Sequence, residues 1–335
     1  MPYVKASLLA LFVVFGSLRC NEGAADTPPA APSKAAPAIG KHAEERIRDT
    51  LATGVIERVE KGSGGRSLGF KLTFSGGVQG YFKPEQTFGA NWNSEAAAYY
   101  VDRELGLGRV PPAVGRRIDW QELRSHAGKD RRLEEIVVRQ GSVRGSVVWW
   151  VPEELAPVDL PADWLGWLRV DRRFGASPFQ TARDYWRDRK ARRPTRLLDP
   201  PAPSFADRPA ELSDLILFDY LIGNADRWGS DNVNVQVLAG SRRLIYLDNA
   251  NGFELLQKPN KLLEARLAAV QRFRRTTVEA IRTLDVKELE QHMKSDPLAP
   301  LLSEAQLAAL ERRRQRVIEH VTEVERQFGA SALPW

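Results

Sequence analysis

The chain predicts an α+β fold in two lobes: a small antiparallel sheet carrying one helix, then a mainly helical lobe. Three observations predict it. With 335 residues, 43% of them hydrophobic and nine of them tryptophan, the chain can bury one large core or two lobes that share a cleft. Up to about residue 153, apolar residues recur in short alternating runs broken by glycine. From about residue 155 onward they recur every three or four positions, as on helices. No internal repeat stands out at a fixed period.

The front end is built differently. Lys5 precedes an apolar run from residue 6 to residue 15, and Gly16, Ser17 and Cys20 follow. The run is shorter than the roughly 20 residues a spanning helix needs, so residues 1–20 read as an export signal. Cys20 is the only cysteine, which excludes an intramolecular disulfide, and it stands where a bacterial lipoprotein signal places its lipidated residue. Residues 16–20 resemble a lipobox in which Arg19 replaces the usual small residue; the competing reading is a plain cleaved signal. Residues 21–41, rich in Ala and Pro, read as a linker. The expected location is the periplasm or cell envelope, with a membrane tether through Cys20. Nucleic acid is not an expected partner there, and the net charge of +6 identifies none.

The first lobe is expected over residues 42–153. A short helix from residue 42 to 51 leads into a strand at 54–60, and the glycine run 62–65 breaks it. Residues 68–74 alternate cleanly, Gly76 and Gly77 turn the chain, and 78–83 form a third strand. Asn93 offers an N-cap for a helix ending near Gly106. Residues 110–119, 135–140 and 142–151 complete the sheet, and Pro152 ends it. In the second lobe, 154–335, helical spacing runs through 162–169, 212–222, 261–284 and 303–328. One hairpin interrupts it, with strands at 233–238 and 243–248.

Phosphoryl transfer needs a cation on the nucleotide phosphates, metal ions held by acidic or amide ligands, and a carboxylate that aligns the attacking hydroxyl. The chain carries these in order. Lys83 ends a strand and Glu95 opens the next helix, placed to pair across a cleft. An apolar helix then runs into a polar turn containing Asp226, with Asp231 and Asn232 shortly after, and an apolar strand delivers Asp248. Singly, each residue has an ordinary explanation. Lys83 is a strand-end lysine reaching solvent, Glu95 complements a helix N-terminus, and Asp226 and Asp248 are turn residues. The order of all four is what favours a nucleotide site. Gly64 and Gly65 either cover phosphates with their backbone or simply turn a hairpin. His42, His126, His292 and His320 show no metal-ligand spacing.

At these residues the chain resembles the secretory-pathway kinases that include four-jointed and the Golgi casein kinase. The matching runs are Phe82-Lys83-Pro84, Asn93-Ser94-Glu95-Ala96-Ala97 to Asp102-Arg103, and Arg109-Val110-Pro111-Pro112-Ala113-Val114-Gly115-Arg116. They continue through Phe218-Asp219-Tyr220-Leu221-Ile222-Gly223-Asn224 to Asp226-Arg227, and Leu247-Asp248-Asn249 to Gly252-Phe253. The resemblance runs from about residue 54 to the C-terminal helices and implies a two-lobed, atypical protein-kinase-like fold. It also implies ATP with Mg²⁺ or Mn²⁺ as cofactors and a hydroxyl of a protein Ser/Thr or a glycan as acceptor. The implied roles are Lys83 on the phosphates, Glu95 near metal and lysine, Asp226 as base and Asp248 as principal metal ligand. The second metal ligand of the family falls five residues after the base, which is Asp231 here, with Asn232 one later; either fits, and Asn234 is a weaker third choice.

Two other readings compete: a catalytically silent pseudokinase serving as a binding module, and a HipA-like or lipid-kinase-like phosphotransferase. The intact Lys83, Glu95, Asp226 and Asp248 set opposes the first, and the Val110-Pro111-Pro112 run opposes the second. A basic segment from Arg169 to Arg196, interleaved with Tyr185 and Trp186, reads as a solvated helical face or as an acceptor-docking patch.

Overall fold

The computed structural model describes residues 41–335 except 64, 88–90, 159, 162–163, 171–206, 229–234 and 256–259. The expected signal, Cys20, the linker up to residue 40, Gly64, Asp231, Asn232, Asn234 and the basic segment from 171 onward lie outside the described residues. Among the described residues no helix is long and apolar enough to cross a membrane.

Six strands make one antiparallel sheet: β1 (Ile56–Lys61), β2 (Phe70–Phe74), β3 (Gln79–Pro84), β4 (Ala113–Asp119), β5 (Val138–Arg139) and β6 (Ser142–Trp149). Their order is β1-β2-β3-β6-β4, and β5 pairs with the start of β6 beyond the end of β3. The alternation read from the sequence is the reason. On β2, Phe70, Leu72 and Phe74 are buried while Lys71 and Thr73 are not, and on β3 Phe82 joins them. The turn between β2 and β3 has Gly76 at φ +83° and Gly77 at φ +82°, a left-handed pair that glycine adopts without strain.

Helix α1 (Lys41–Thr53) contributes Leu51 to this core, and α3 (Trp120–Ala127) contributes Leu123 and Ala127. Among the described residues, α3 is the one α-helix of the sheet lobe that lies outside the helical stretches expected there. Helix α3 forms because the Asp119 carboxylate accepts from the Glu122 N–H, capping a segment too short and polar to declare a period. Helix α2 (Ser94–Glu104) packs differently: its alanines, Tyr99, Tyr100 and Val101 join the large core of the helical lobe.

That lobe is built around α4 (Arg208–Ile222), buried along its whole length, with α5 (Lys261–Ala269), α6 (Arg275–Thr283), α7 (Val286–Met293) and the 25-residue α8 (Glu304–Phe328) about it. The stretch expected as one helix from 261 to 284 is two. At the break, Gln271 donates its N–H to Leu168 O at 2.7 Å and Phe273 donates to Ala332 O at 2.8 Å, so the backbone bonds leave the helical ladder. The expected hairpin is shorter and three-stranded, with β7 (Leu155–Pro157) pairing β8 (Gln236–Leu238), which pairs β9 (Leu244–Ile245).

The two lobes are joined by a polar latch. Asp296, 4% exposed in the loop after α7, accepts from the Gly115 N–H of β4 at 3.0 and 3.2 Å and from the Leu298 N–H at 3.0 Å. The carboxylate fits because residue 115 lacks a side chain: a Cβ there would lie 2.4 Å from Asp296 Oδ1 and 2.7 Å from Leu298 Cβ. Nearby, Asn93 donates its amide to Leu301 O, and the Tyr100 and Ser295 hydroxyls bond at 2.9 Å. Gly115→Ala is therefore expected to lower stability by about 1–3 kcal/mol, the usual cost of forcing atoms into a packed site, as read by urea unfolding.

Candidate active site

Lys83 is on β3 at alternate spacing from Tyr81, so both side chains leave the sheet on the face opposite Phe82. Its ammonium donates to Glu95 Oε1 at 2.5 Å and to Asp248 Oδ1 at 2.7 Å. Glu95 sits in the first turn of α2, its side chain 2% exposed, and also accepts from Asn249 N at 3.0 Å and Nδ2 at 3.3 Å. Burial opposes the charge on Lys83, but Glu95 and then Asp248 outweigh it and hold its pKa above the ordinary lysine value. In turn, the Lys83 charge holds the Asp248 carboxyl below the usual range.

Asp248 follows β9 and has φ +57°, a left-handed conformation that costs a non-glycine residue about 1–2 kcal/mol. Its neighbours impose it. Arg227, 2% exposed overall, donates Nε to both oxygens of the fully buried Asp219 at 3.0 and 2.9 Å, Nη2 to Asn249 Oδ1 at 2.5 Å, and Nη1 to Leu247 O. Asn224 donates Nδ2 to the Asp248 carbonyl at 3.2 Å. Both come from the turn after α4, which Gly223 ends in the left-handed form. Asp226 lies on the short 3₁₀ turn Asp226–Trp228, and its Oδ2 accepts from Asn251 Nδ2 at 3.0 Å.

Two adjoining cavities meet at Tyr81, Lys83 and Asp248. One, of about 480 Å³, runs from Lys83 and Glu95 to a wall of Val148, Trp149, Trp150, Leu155 and Leu247. The other, of about 350 Å³, holds Asp226 with Gly65, Arg66, Gln86, Asn91, Trp92 and Asn251. Lys83, Glu95 and Asp248 are thus brought into direct contact, and Asp226 faces the second cavity. Gly65 lines that cavity at φ +88°. Among the described residues no three His, Cys, Asp or Glu side chains converge as a metal cage. Arg227 and Asn249, which brace the site, were adjacent to expected site residues, but nothing in their local spacing marks a buried pairing partner.

Because Arg227 and Asp219 are both inside, losing one leaves the other's charge uncompensated. Arg227→Met is expected to cost roughly 3–5 kcal/mol in denaturant unfolding, and Asp219→Asn added to it is expected to cost less than the sum of the single changes.

Residues 132–332 match the family described as Golgi casein kinase, C-terminal, Fam20. The chain is 27% identical to the glycosaminoglycan xylosylkinase of Danio rerio, over 85% of this chain and 76% of that one. It is 24% identical to the extracellular serine/threonine protein kinase FAM20C of Homo sapiens, over 86% and 55% respectively. The crystal structure of the Golgi casein kinase with Mn/ADP bound superposes with a TM-score of 0.67 at 20% identity, over 87% of this chain and 78% of the other, so the fold is shared. The family match takes in more than half of the chain, including the turns that carry Asp226 and Asp248: the protein belongs to the Golgi casein kinase, Fam20, family.

Proposed function

We propose that this protein is an exported, ATP-dependent kinase that moves the γ-phosphoryl group to a hydroxyl of a protein or glycan. The observation that carries this reading is Lys83 bridging Glu95 and Asp248 at the junction of two cavities, one apolar-walled and one holding Asp226. In the proposed arrangement the nucleobase lies against Trp149, Trp150, Leu155 and Leu247, and the phosphates extend toward Lys83 under the loop of Gly64 and Gly65. Asp248 and Glu95 are hard oxygen donors of the kind Mg²⁺ and Mn²⁺ take, and with Asp231 or Asn232 they would hold the metal. The metal, when bound, neutralises charge on the phosphate oxygens.

The chain's own residues do the rest. Lys83 stays charged because its two carboxylates raise its pKa, and so pairs with phosphate oxygens. Asp226, oriented by the Asn251 amide, accepts the acceptor hydroxyl's proton as that oxygen bonds to the γ-phosphorus and ADP departs. The acceptor classes follow the relatives: one is named for a glycosaminoglycan xylose, the other for protein serine and threonine. We place the signal at residues 1–20, the linker at 21–41 and the lobes at 42–153 and 154–335, with Cys20 as lipid attachment point at the cell envelope.

The test is labelled ATP with Mn²⁺ or Mg²⁺, following transfer to casein, to simple sugars and to the protein itself. Asp226→Ala is expected to lower transfer by roughly 10²–10⁴-fold while nucleotide binding persists. Asp248→Ala is expected to remove both. A wild-type chain that neither transfers label nor binds nucleotide in a metal-dependent way would make the silent binding module the better reading.

A further inference from the structure

Tyr81 has no place in the mechanism above, yet it stands at its centre. It shares the cleft face of β3 with Lys83 and lines both cavities. The ends of β1 and β2 make room for it. Gly62 donates its N–H to Gly69 O at 2.8 Å, closing the base of the glycine-rich connection. The tyrosine ring lies against these two glycines: a Cβ on Gly69 would be 2.6 Å from the ring and hydroxyl, and a Cβ on Gly62 would be 2.2 Å from the hydroxyl oxygen. Neither glycine has a left-handed φ, so the turn itself does not require them; the tyrosine does. On its other side the ring packs against Trp150 at 6.1 Å between centroids, and Lys71 Nζ stands over that indole at 4.4 Å.

The hydroxyl is the unusual part. Among the described residues it has no hydrogen-bond partner, although a half-buried tyrosine hydroxyl commonly finds one. Its electrostatic neighbours are Lys83 and Asp248, which line the junction of the cavities with it, and Arg132, which donates to the Gly65 and Ser67 carbonyls. Burial raises the phenol above its ordinary pKa against the pull of the two cations, so at neutral pH it is an uncharged O–H donor.

We propose that Tyr81 is a nucleotide-binding residue: its hydroxyl donates a hydrogen bond to the phosphate chain, and its ring is the partition between the nucleotide cavity and the acceptor cavity. The proposal rests on the kinase reading above and adds to it a second side-chain donor from β3, two residues from Lys83. Gly62 and Gly69 then act by seating this ring.

The experiment is calorimetric titration of the full chain with Mn²⁺·ADP and, separately, with adenosine, for wild type and Tyr81→Phe. The phenylalanine keeps the ring and its glycine seat, and its melting temperature serves as the folding control. The expected result is ADP binding weakened roughly tenfold, the worth of a hydrogen bond to a charged group, with adenosine binding unchanged. A second variant, Tyr81→Leu, removes the partition and is expected to raise the fraction of ATP lost to water rather than transferred. Tyr81→Phe binding ADP within about twofold of wild type, or losing adenosine affinity as much as ADP affinity, would overturn the phosphate contact. Wild-type protein that binds no Mn²⁺·ADP would overturn the kinase reading together with this one; intact wild-type binding with an unaltered Tyr81→Phe would overturn this one alone.

Discussion

One ammonium group ties together the sheet, the helix beneath it and the loop from the helical lobe. Lys83 comes from β3, Glu95 from α2 and Asp248 from the segment after β9, and the two bonds at 2.5 and 2.7 Å fix where these meet. A lysine so placed would lose its charge if desolvated alone; two carboxylates keep it protonated. The carboxylates depend equally on it, since Glu95 is almost wholly buried and Asp248 has its carboxyl held low by the same charge. Removing any member leaves the others costly.

The second requirement is a backbone that points Asp248 into the cleft. Its left-handed conformation is unfavourable locally and is held by partners that are themselves buried: Arg227, paired to Asp219, gripping the Leu247 carbonyl and Asn249, and Asn224 gripping the Asp248 carbonyl. The same short turn carries Asp226. Asp226 and Asp248 are therefore positioned by one network rooted at the end of α4, and strain at Asp248 is offset by pairing beneath it. Asp296 and Gly115 secure the sheet to the helices at a distance from the chemistry, so that α2 is held between two lobes rather than free on one.

Much of this was legible in the chain. Alternation on β2 and β3 and helical spacing in α4 and α8 are local consequences of burial, and they were read with errors of a few residues. Lys83, Glu95 and Asp248 could be proposed as neighbours because their order and residue types match a known chemistry, although 165 positions separate the lysine from the aspartate. What was not legible depends on long-range contact. Nothing near Arg227 announces that its guanidinium is inside, nothing near Gly115 announces a carboxylate from residue 296, and the tyrosine that Gly62 and Gly69 accommodate sits on a different strand. Helix α3 was missed because eight residues capped by Asp119 give too little period to detect. The choice between Asp231 and Asn232, and any part played by Gly64, involve positions outside the described residues.

Glu95 and Asp248, bridged by Lys83, are proposed to form a metal–nucleotide site. Manganese paramagnetic resonance tests it most directly, by counting Mn²⁺ bound to the chain with and without ADP and repeating the titration with Asp248→Asn. The expected result is Mn²⁺ bound only when ADP is present, and lost in the variant while the fold is kept. Mn²⁺ binding that ignores ADP, or survives Asp248→Asn unchanged, would contradict the claim.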